Sequence, residues 1–409
     1  MPMKPLIPHD TLHHHANPRA RRGEPIGPRP RAVLTQEAMR EAREEIRAWP
    51  GYRPTPLLAL EGLAAAAGVG QVFYKDEAHR FSLNSFKALG GAYAVLRLLK
   101  SRLPAGVTTE ALLAGEHREA VGEITVCCAT DGNHGRSVAW GAQQFGARCV
   151  IYLHATVSRG REEAIARFGA EVRRVGGNYD DSVRQAARDA EANGWFVVSD
   201  TSYPGYMTVP RDVMQGYTVM VDEATQQLDA PPTHCFVQGG VGGLAAATLA
   251  QLWEAYGADR PRVVVVEPEQ AACLYASARA GAPTAVEGEL ETLMAGLACG
   301  EVSLLAWEVL DEGIDDFMTV SDAAAVDAMR LLADGVDGDA PLVAGESAVA
   351  GLAGLLIASQ DPALRRALGL DAQSRVLLIG SEGATDEAVY RELVGRSSAE
   401  VMAEVATHA

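Results

Sequence analysis

Between about residue 123 and residue 395 the chain alternates short apolar or β-branched runs with helix-like stretches, and this alternation limits the possible folds more than any other feature. EITVCCA leads through TDGNHG into RSVAWGAQQFG, CVIYLH precedes SRGREEAIARFG, and EVRRV runs through GGNYDD to a helix ending near Gly194 before WFVVSD. HCFVQ with GGVGGLAAATLAQLW, RVVVVEPE, and RVLLIGSEGATDEAVYREL repeat the arrangement. Short strands apolar on both faces, each followed by a helix, predict an α/β fold of parallel sheets covered by helices. Ligands of such sheets bind beyond the carboxyl ends of the strands, so the loops there are where function is expected.

Upstream lies YKDEAHRFSLNSFKALGG, residues 74–91. An apolar run feeds a charged turn and a polar loop, and Lys87 then heads an apolar helix from Ala88 to Leu99. At the positive end of a helix the macrodipole disfavours an ammonium. A lysine that deprotonates more easily offers the neutral amine that forms a Schiff base with an aldehyde.

Five loops follow predicted strands. Asp131-Gly132-Asn133-His134-Gly135 combines a tight turn with an acidic side chain and an amide that both donates and accepts. A plain turn explains its glycines but not Asp131 and Asn133 together, whereas His134 alone reads more easily as a structural histidine. Gly239-Gly240-Val241-Gly242-Gly243 opens a helix, and its N–H groups with the helix dipole suit a phosphate. Read as Gly240-x-Gly242-x-x-Ala245, with Glu267 ending the next strand, the same loop fits a dinucleotide site, so an NAD-dependent dehydrogenase stays open at this point. VVSDTSYPGY supplies Asp200, AGESA places Glu346 before a helix, and LLIGSEGATD ends a strand with Ser381. A neutral hydroxyl there can hydrogen-bond a ring nitrogen without protonating it. LMAGLACGE is a further glycine-rich loop.

Composition narrows the partners. The 409 residues carry 36 basic and 53 acidic side chains, a formal charge of −17, which argues against nucleic acid or an anionic membrane. No apolar run approaches a bilayer span and the polar, proline-rich start shows no signal peptide, so a cytoplasmic location is expected. The six cysteines lack ligand spacing and no metal site is expected; Cys273 and Cys299 flank a loop in which a pairing is conceivable. His13, His14 and His15 lie in what reads as an extended arm, residues 1–34.

Taken together the segments KDEAHRFSLNSFKALGGAYA, CATDGNHGRSVAWGAQQFGA, GNYDDSVR, SDTSYPGY, MQGY, VEPEQAACLY, LMAGLACGE, AGESAVAGL and SEGATD resemble pyridoxal-phosphate enzymes of fold type II, the tryptophan-synthase-β type. The resemblance is strongest to the diaminopropionate ammonia-lyase family. It implies two α/β domains, the smaller (89–203) inserted in the larger (35–88 and 204–409), with pyridoxal 5'-phosphate in the cleft. Lys87 resembles the Schiff-base lysine, Asn133 the asparagine on the phenolic oxygen, Gly239 to Gly243 the phosphate loop, and Ser381 the partner of the pyridine nitrogen. Glu346 joins the cofactor-binding candidates. Asp131 and Asp200 match active-site aspartates of the family, and with Lys87 they form the catalytic set.

The activity implied is α,β-elimination of D- and L-2,3-diaminopropionate to pyruvate and two ammonia, by a homodimer. A substrate with a second ammonium on Cβ is attracted by Asp131 and Asp200. A serine or threonine dehydratase of the same fold is the alternative, and serine needs no such anions.

Overall fold

The computed structural model describes residues 7, 12–130, 132–177 and 179–408. Strands β1 (His14–Ala16), β2 (Leu57–Ala59) and β3 (Gln71–Asp76) come first in the chain. Next are β4 (Thr125–Ala129), β5 (Arg148–His154), β6 (Glu171–Val175) and β7 (Phe196–Val197). The last are β8 (His234–Gln238), β9 (Arg262–Pro268), β10 (Asp316–Val320) and β11 (Arg375–Gly380). The chain divides into two compact units: the first takes the residues up to Val33, Pro54–Asn84 and those from Met220 onward, the second Leu34–Arg53 and Ser85–Val219.

The first unit is built on a seven-stranded sheet of order β1-β10-β9-β8-β11-β3-β2. Its five inner strands are parallel, and β1 and β2 close the edges antiparallel. Val263 to Val266 are fully buried, which is why a β-branched run with no polar alternation forms a strand here. The helix Ala350–Gln360, apolar on nearly every side, packs against β8, β9 and β10. β10 is absent from the alternation read in the sequence, and it is the strand on which the supposed arm docks. His14 Nε2 donates to Asp316 Oδ1 at 2.8 Å, and Arg262 Nε donates to Asp316 Oδ2 at 2.6 Å. A fully buried carboxylate and an open sheet edge both need partners, and β1 supplies them.

The first unit also holds a buried ion cluster. Lys75 Nζ donates to Glu223 Oε2 and to the Thr55 carbonyl, each at 2.8 Å. Arg80 donates to Glu77 Oε2 at 2.8 Å and to Glu223 Oε1 at 2.9 Å. Lys75, Glu77, Arg80 and Glu223 are exposed by no more than 1% at their side chains. Just beyond Arg80, Phe81, Ser82 and Asn84 have φ of 49°, 57° and 52°. That left-handed region costs an ordinary residue about 1–2 kcal/mol, so the cluster holds a turn that the backbone alone resists.

The second unit has a four-stranded parallel sheet of order β6-β5-β4-β7. One side is a small core of Cys127, Val150, Tyr152, Ala186 and Ala190. On the other, the helices Lys87–Arg102 and Asn133–Phe145 lie so close that a Cβ at Gly91 would stand 1.9 Å from Ser137 Oγ. The helix Gln36–Arg47, N-capped by Thr35 on Ala38 N at 3.2 Å, joins this unit through Glu41–Arg97 and Glu45–Lys100 ion pairs. Among the described residues no helix is long and apolar enough to cross a membrane.

Candidate active site

In the second unit Lys87 opens its helix with no side-chain cap. The terminus alone disfavours an ammonium, but the tertiary structure supplies a counter-ion: Nζ donates to Asp200 Oδ2 at 2.8 Å. Nζ also lies 5.4 Å from the Phe86 ring centroid and 5.6 Å from that of Tyr217, within cation–π range. The local expectation of a disfavoured charge is thus overridden by a partner 113 residues away. The two side chains keep 19% and 16% exposure, enough for a small molecule to reach them.

Asp200 follows β7 in a loop fixed by Tyr206. The Tyr206 hydroxyl donates to the Val197 carbonyl at 2.9 Å and accepts from Ser199 N–H at 3.0 Å. Burial pushes the Asp200 carboxyl upward, but the Lys87 charge, nearby His134 and hydrogen bonds from Lys87 and the backbone outweigh it, leaving it well below the usual carboxylate range. The sequence signals Asp200 but not Tyr206, whose role depends on the loop folding back on its own strand.

Asn133 and His134 begin the helix Asn133–Phe145 at the end of β4. Arg136 Nη2 donates to Asn133 Oδ1 at 2.9 Å, which turns the amide NH2 away from the guanidinium and presents a donor. His134 Nε2 donates to the Val198 carbonyl at 2.8 Å, so this histidine is structural on one side. Its Nδ1 lies 3.8 Å from Asp200 Oδ2. Asp131 lies outside the described residues.

The other candidates are in the first unit. The turn Gly239–Gly243 links β8 to the helix Gly243–Tyr256, and Gly242, at φ 97°, is the residue that opens it. A Cβ at Gly239 would meet Glu267 Cγ at 2.4 Å. The Val241 carbonyl is held by Ser303 N–H at 2.9 Å. Glu267 itself is fully buried, and its oxygens accept from Leu274 N–H at 2.9 Å and Tyr275 N–H at 2.7 Å. Burial pushes its carboxyl up to about 8 against those two bonds. A side chain so enclosed supports the glycine turn from beneath and does not present itself to a ribose, which removes the feature on which the dinucleotide reading stood.

Gln238, the last residue of β8, ties this turn to Ser381. Its Nε2 donates to Ser381 Oγ at 2.8 Å and to the Ile379 carbonyl at 2.9 Å. Ser381 Oγ therefore accepts inside the protein and keeps its hydrogen to donate. Glu346 is buried in a loop that the neighbouring strand end fastens: Gly345 N–H donates to the Glu382 carbonyl at 3.0 Å and Ser347 N–H to Glu382 Oε1 at 3.1 Å. No disulfide is formed, and Cys273 Sγ instead donates to the Gly240 carbonyl at 3.5 Å. The structure thus gathers Lys87, Asn133 and Asp200 in the second unit, and the glycine turn, Ser381 and Glu346 in the first.

Residues 48–382 match the family model described as pyridoxal-phosphate dependent enzyme. Diaminopropionate ammonia-lyase of Escherichia coli K12 is 40% identical over 370 residues, which span 88% of this chain and 92% of that protein. The enzyme of the same name from Salmonella typhimurium LT2 is 41% identical over 367 residues, 85% of this chain and 90% of that protein. The crystal structure of the selenomethionine-containing holo ammonia-lyase from Escherichia coli superposes with a TM-score of 0.85 at 38% identity, covering 94% of this chain and 97% of that one.

Proposed function

The chain belongs to the pyridoxal-phosphate dependent enzymes and, among them, to the diaminopropionate ammonia-lyases, and on that membership we propose the roles of its site residues. It is a pyridoxal-phosphate-dependent ammonia-lyase that eliminates ammonia from 2,3-diaminopropionate. The observation that carries the assignment of roles is the Lys87 amine held at 2.8 Å by Asp200 in a partly open site.

The residues fit the cofactor. Gly239 leaves no room for a side chain, and the turn ends at a helix N-terminus whose N–H groups suit a phosphate. When bound, pyridoxal 5'-phosphate supplies the electron sink that makes a Cα proton removable. Gly239, Gly240, Val241, Gly242 and Gly243 would hold its phosphate, Ser381 would donate to its ring nitrogen, Asn133 would donate to its phenolic oxygen, and Glu346 would border it. Lys87 would be its attachment residue and, as a free amine, the base that takes the Cα proton of the L isomer. Asp131 serves the opposite face for the D isomer. Asp131 and Asp200 draw in the second ammonium, which departs as ammonia with the electrons of its C–N bond. The enzyme works as a cytoplasmic homodimer, a state that light scattering on the purified protein checks.

The test is pyruvate release from L- and D-2,3-diaminopropionate and L-serine in parallel. Release from both diaminopropionate isomers with serine far slower is expected. Preference for serine keeps the cofactor and sinks the ammonia-lyase reading.

A further inference from the structure

His134 has one ring nitrogen committed and one open. Nε2 donates to the Val198 carbonyl at 2.8 Å, and because a carbonyl only accepts, Nε2 carries its proton in either charge state of the ring. Nδ1 is buried and makes no hydrogen bond, although Asp200 Oδ2 stands 3.8 Å away. A neutral Nδ1 and a carboxylate are both acceptors, and two acceptors form no bond without a proton between them. The same Oδ2 receives Lys87 Nζ at 2.8 Å. One carboxylate oxygen therefore faces two nitrogen bases, of which lysine holds the extra proton.

The charged and titratable groups around this point come from four elements. Lys87 comes from its helix, Asp200 from the loop after β7, Tyr217 from the helix Thr208–Gln227 beside Lys87, and Cys128 from β4 beside Asp200. On the histidine's own helix Arg136 is engaged by Asn133 Oδ1. Burial keeps the imidazole below its usual value; Asp200 opposes this and the Lys87 ammonium reinforces it.

We propose that His134 is the alternate proton holder for Asp200: whenever Lys87 Nζ is neutral, Nδ1 carries the proton and pairs with Oδ2. The step balances within the three groups. An N–H bond at Nζ breaks with its electron pair remaining on nitrogen, the proton passes by way of Oδ2, and an N–H bond forms at Nδ1. Net charge is zero before and after. The largely enclosed carboxylate never stands without a cation, an arrangement that is costly wherever water is mostly excluded. Lys87 becomes a neutral amine without releasing a proton to solvent. His134 acts through Asp200 and is a positioning residue. The inference rests on the role given to Lys87, which is what makes its neutral form useful.

The test titrates the cofactor-free full chain, labelled at histidine Cε1 with carbon-13, by NMR between pH 5 and 9. His134→Asn identifies the resonance. In the wild type the His134 signal titrates with a midpoint below the usual histidine value. In Lys87→Met it titrates at least one unit higher than in the wild type, a tenfold gain in proton affinity. Lys87→Gln gives an independent reading in case Lys87→Met does not fold. Lys87→Arg, which keeps a cation, restores the wild-type midpoint, and adding Asp200→Asn to Lys87→Met abolishes the gain. An unchanged or lower midpoint in the folded Lys87→Met or Lys87→Gln protein, or a gain that survives Asp200→Asn, overturns the proposal. Pyruvate release is measured separately on the loaded wild type, so failure of the lyase reading and failure of the proton-holder reading are distinguishable.

Discussion

Replacing Glu223 with Gln removes one carboxylate from a cluster in which Lys75 and Arg80 balance Glu77 and Glu223 at almost no exposure. The substitution keeps the shape and leaves one uncompensated buried cation. Breaking a buried pair by removing one partner costs about 3–5 kcal/mol. With a urea slope of roughly 2–3 kcal/mol/M, that predicts a midpoint lower by about 1–2.5 M. The sign of the pH dependence follows from Lys75. Burial already lowers its proton affinity while Glu223 and Glu77 raise it, so losing Glu223 lowers it further. The folded variant then sheds the Lys75 proton more readily than the unfolded chain, and the penalty shrinks as pH rises toward the usual lysine value of about 10.4. The assay is urea unfolding at pH 7 and pH 9.5, with the double variant Lys75→Met/Glu223→Gln alongside, which restores neutrality and recovers most of the loss. A midpoint shift under about 0.3 M, or a double variant as unstable as the sum of its singles, would refute the reasoning.

Lys87→Ala abolishes the borohydride-stable adduct found by peptide mapping and lowers pyruvate release by about 10³-fold or more. Asp200→Asn lowers kcat/KM for diaminopropionate by about 10²-fold and for serine by much less, because only the former brings a second ammonium; equal losses would remove Asp200 from substrate recognition. Gly91→Ala puts a methyl 1.9 Å from Ser137 Oγ and destabilises the second unit by about 1–3 kcal/mol, read as a lower thermal midpoint by circular dichroism. His134 and His234 both bind protons less readily than free histidine because they are buried. Their contribution is present above the unfolded value of about 6.5 and is lost as pH falls below it, so the urea midpoint at pH 5 lies below that at pH 7, and His234→Gln narrows the gap.

What the sequence made legible was local. β8, β9 and β11 announce themselves because strands buried on both faces need unbroken apolar runs. The turn at Gly239 shows because a close approach excludes side chains. β1 does not show, since HHA has no strand signature and becomes one only against the edge of β10. Lys87 is the instructive case. Its place at a helix start is readable, but its ionic partner enters from a loop after β7, and no periodicity connects the two. His134 likewise reads as structural from its turn, and only the fold reveals a second nitrogen aimed at Asp200.

The order of strands in the first unit also sets a timetable for synthesis. β3 pairs with β11, which a ribosome makes about 300 residues later, and at ~5–20 residues per second that is roughly 15–60 s. Lys75 waits for Glu223 across 148 residues of the same interval. Of the second unit, Ser85–Val219 is made within it and Leu34–Arg53 before it. Lys87 and its partner Asp200 are therefore both on the nascent chain while β3 still lacks β11 on one edge and Ser381 does not yet exist. Until β11 arrives, that edge of β3 is a template on which another chain could pair.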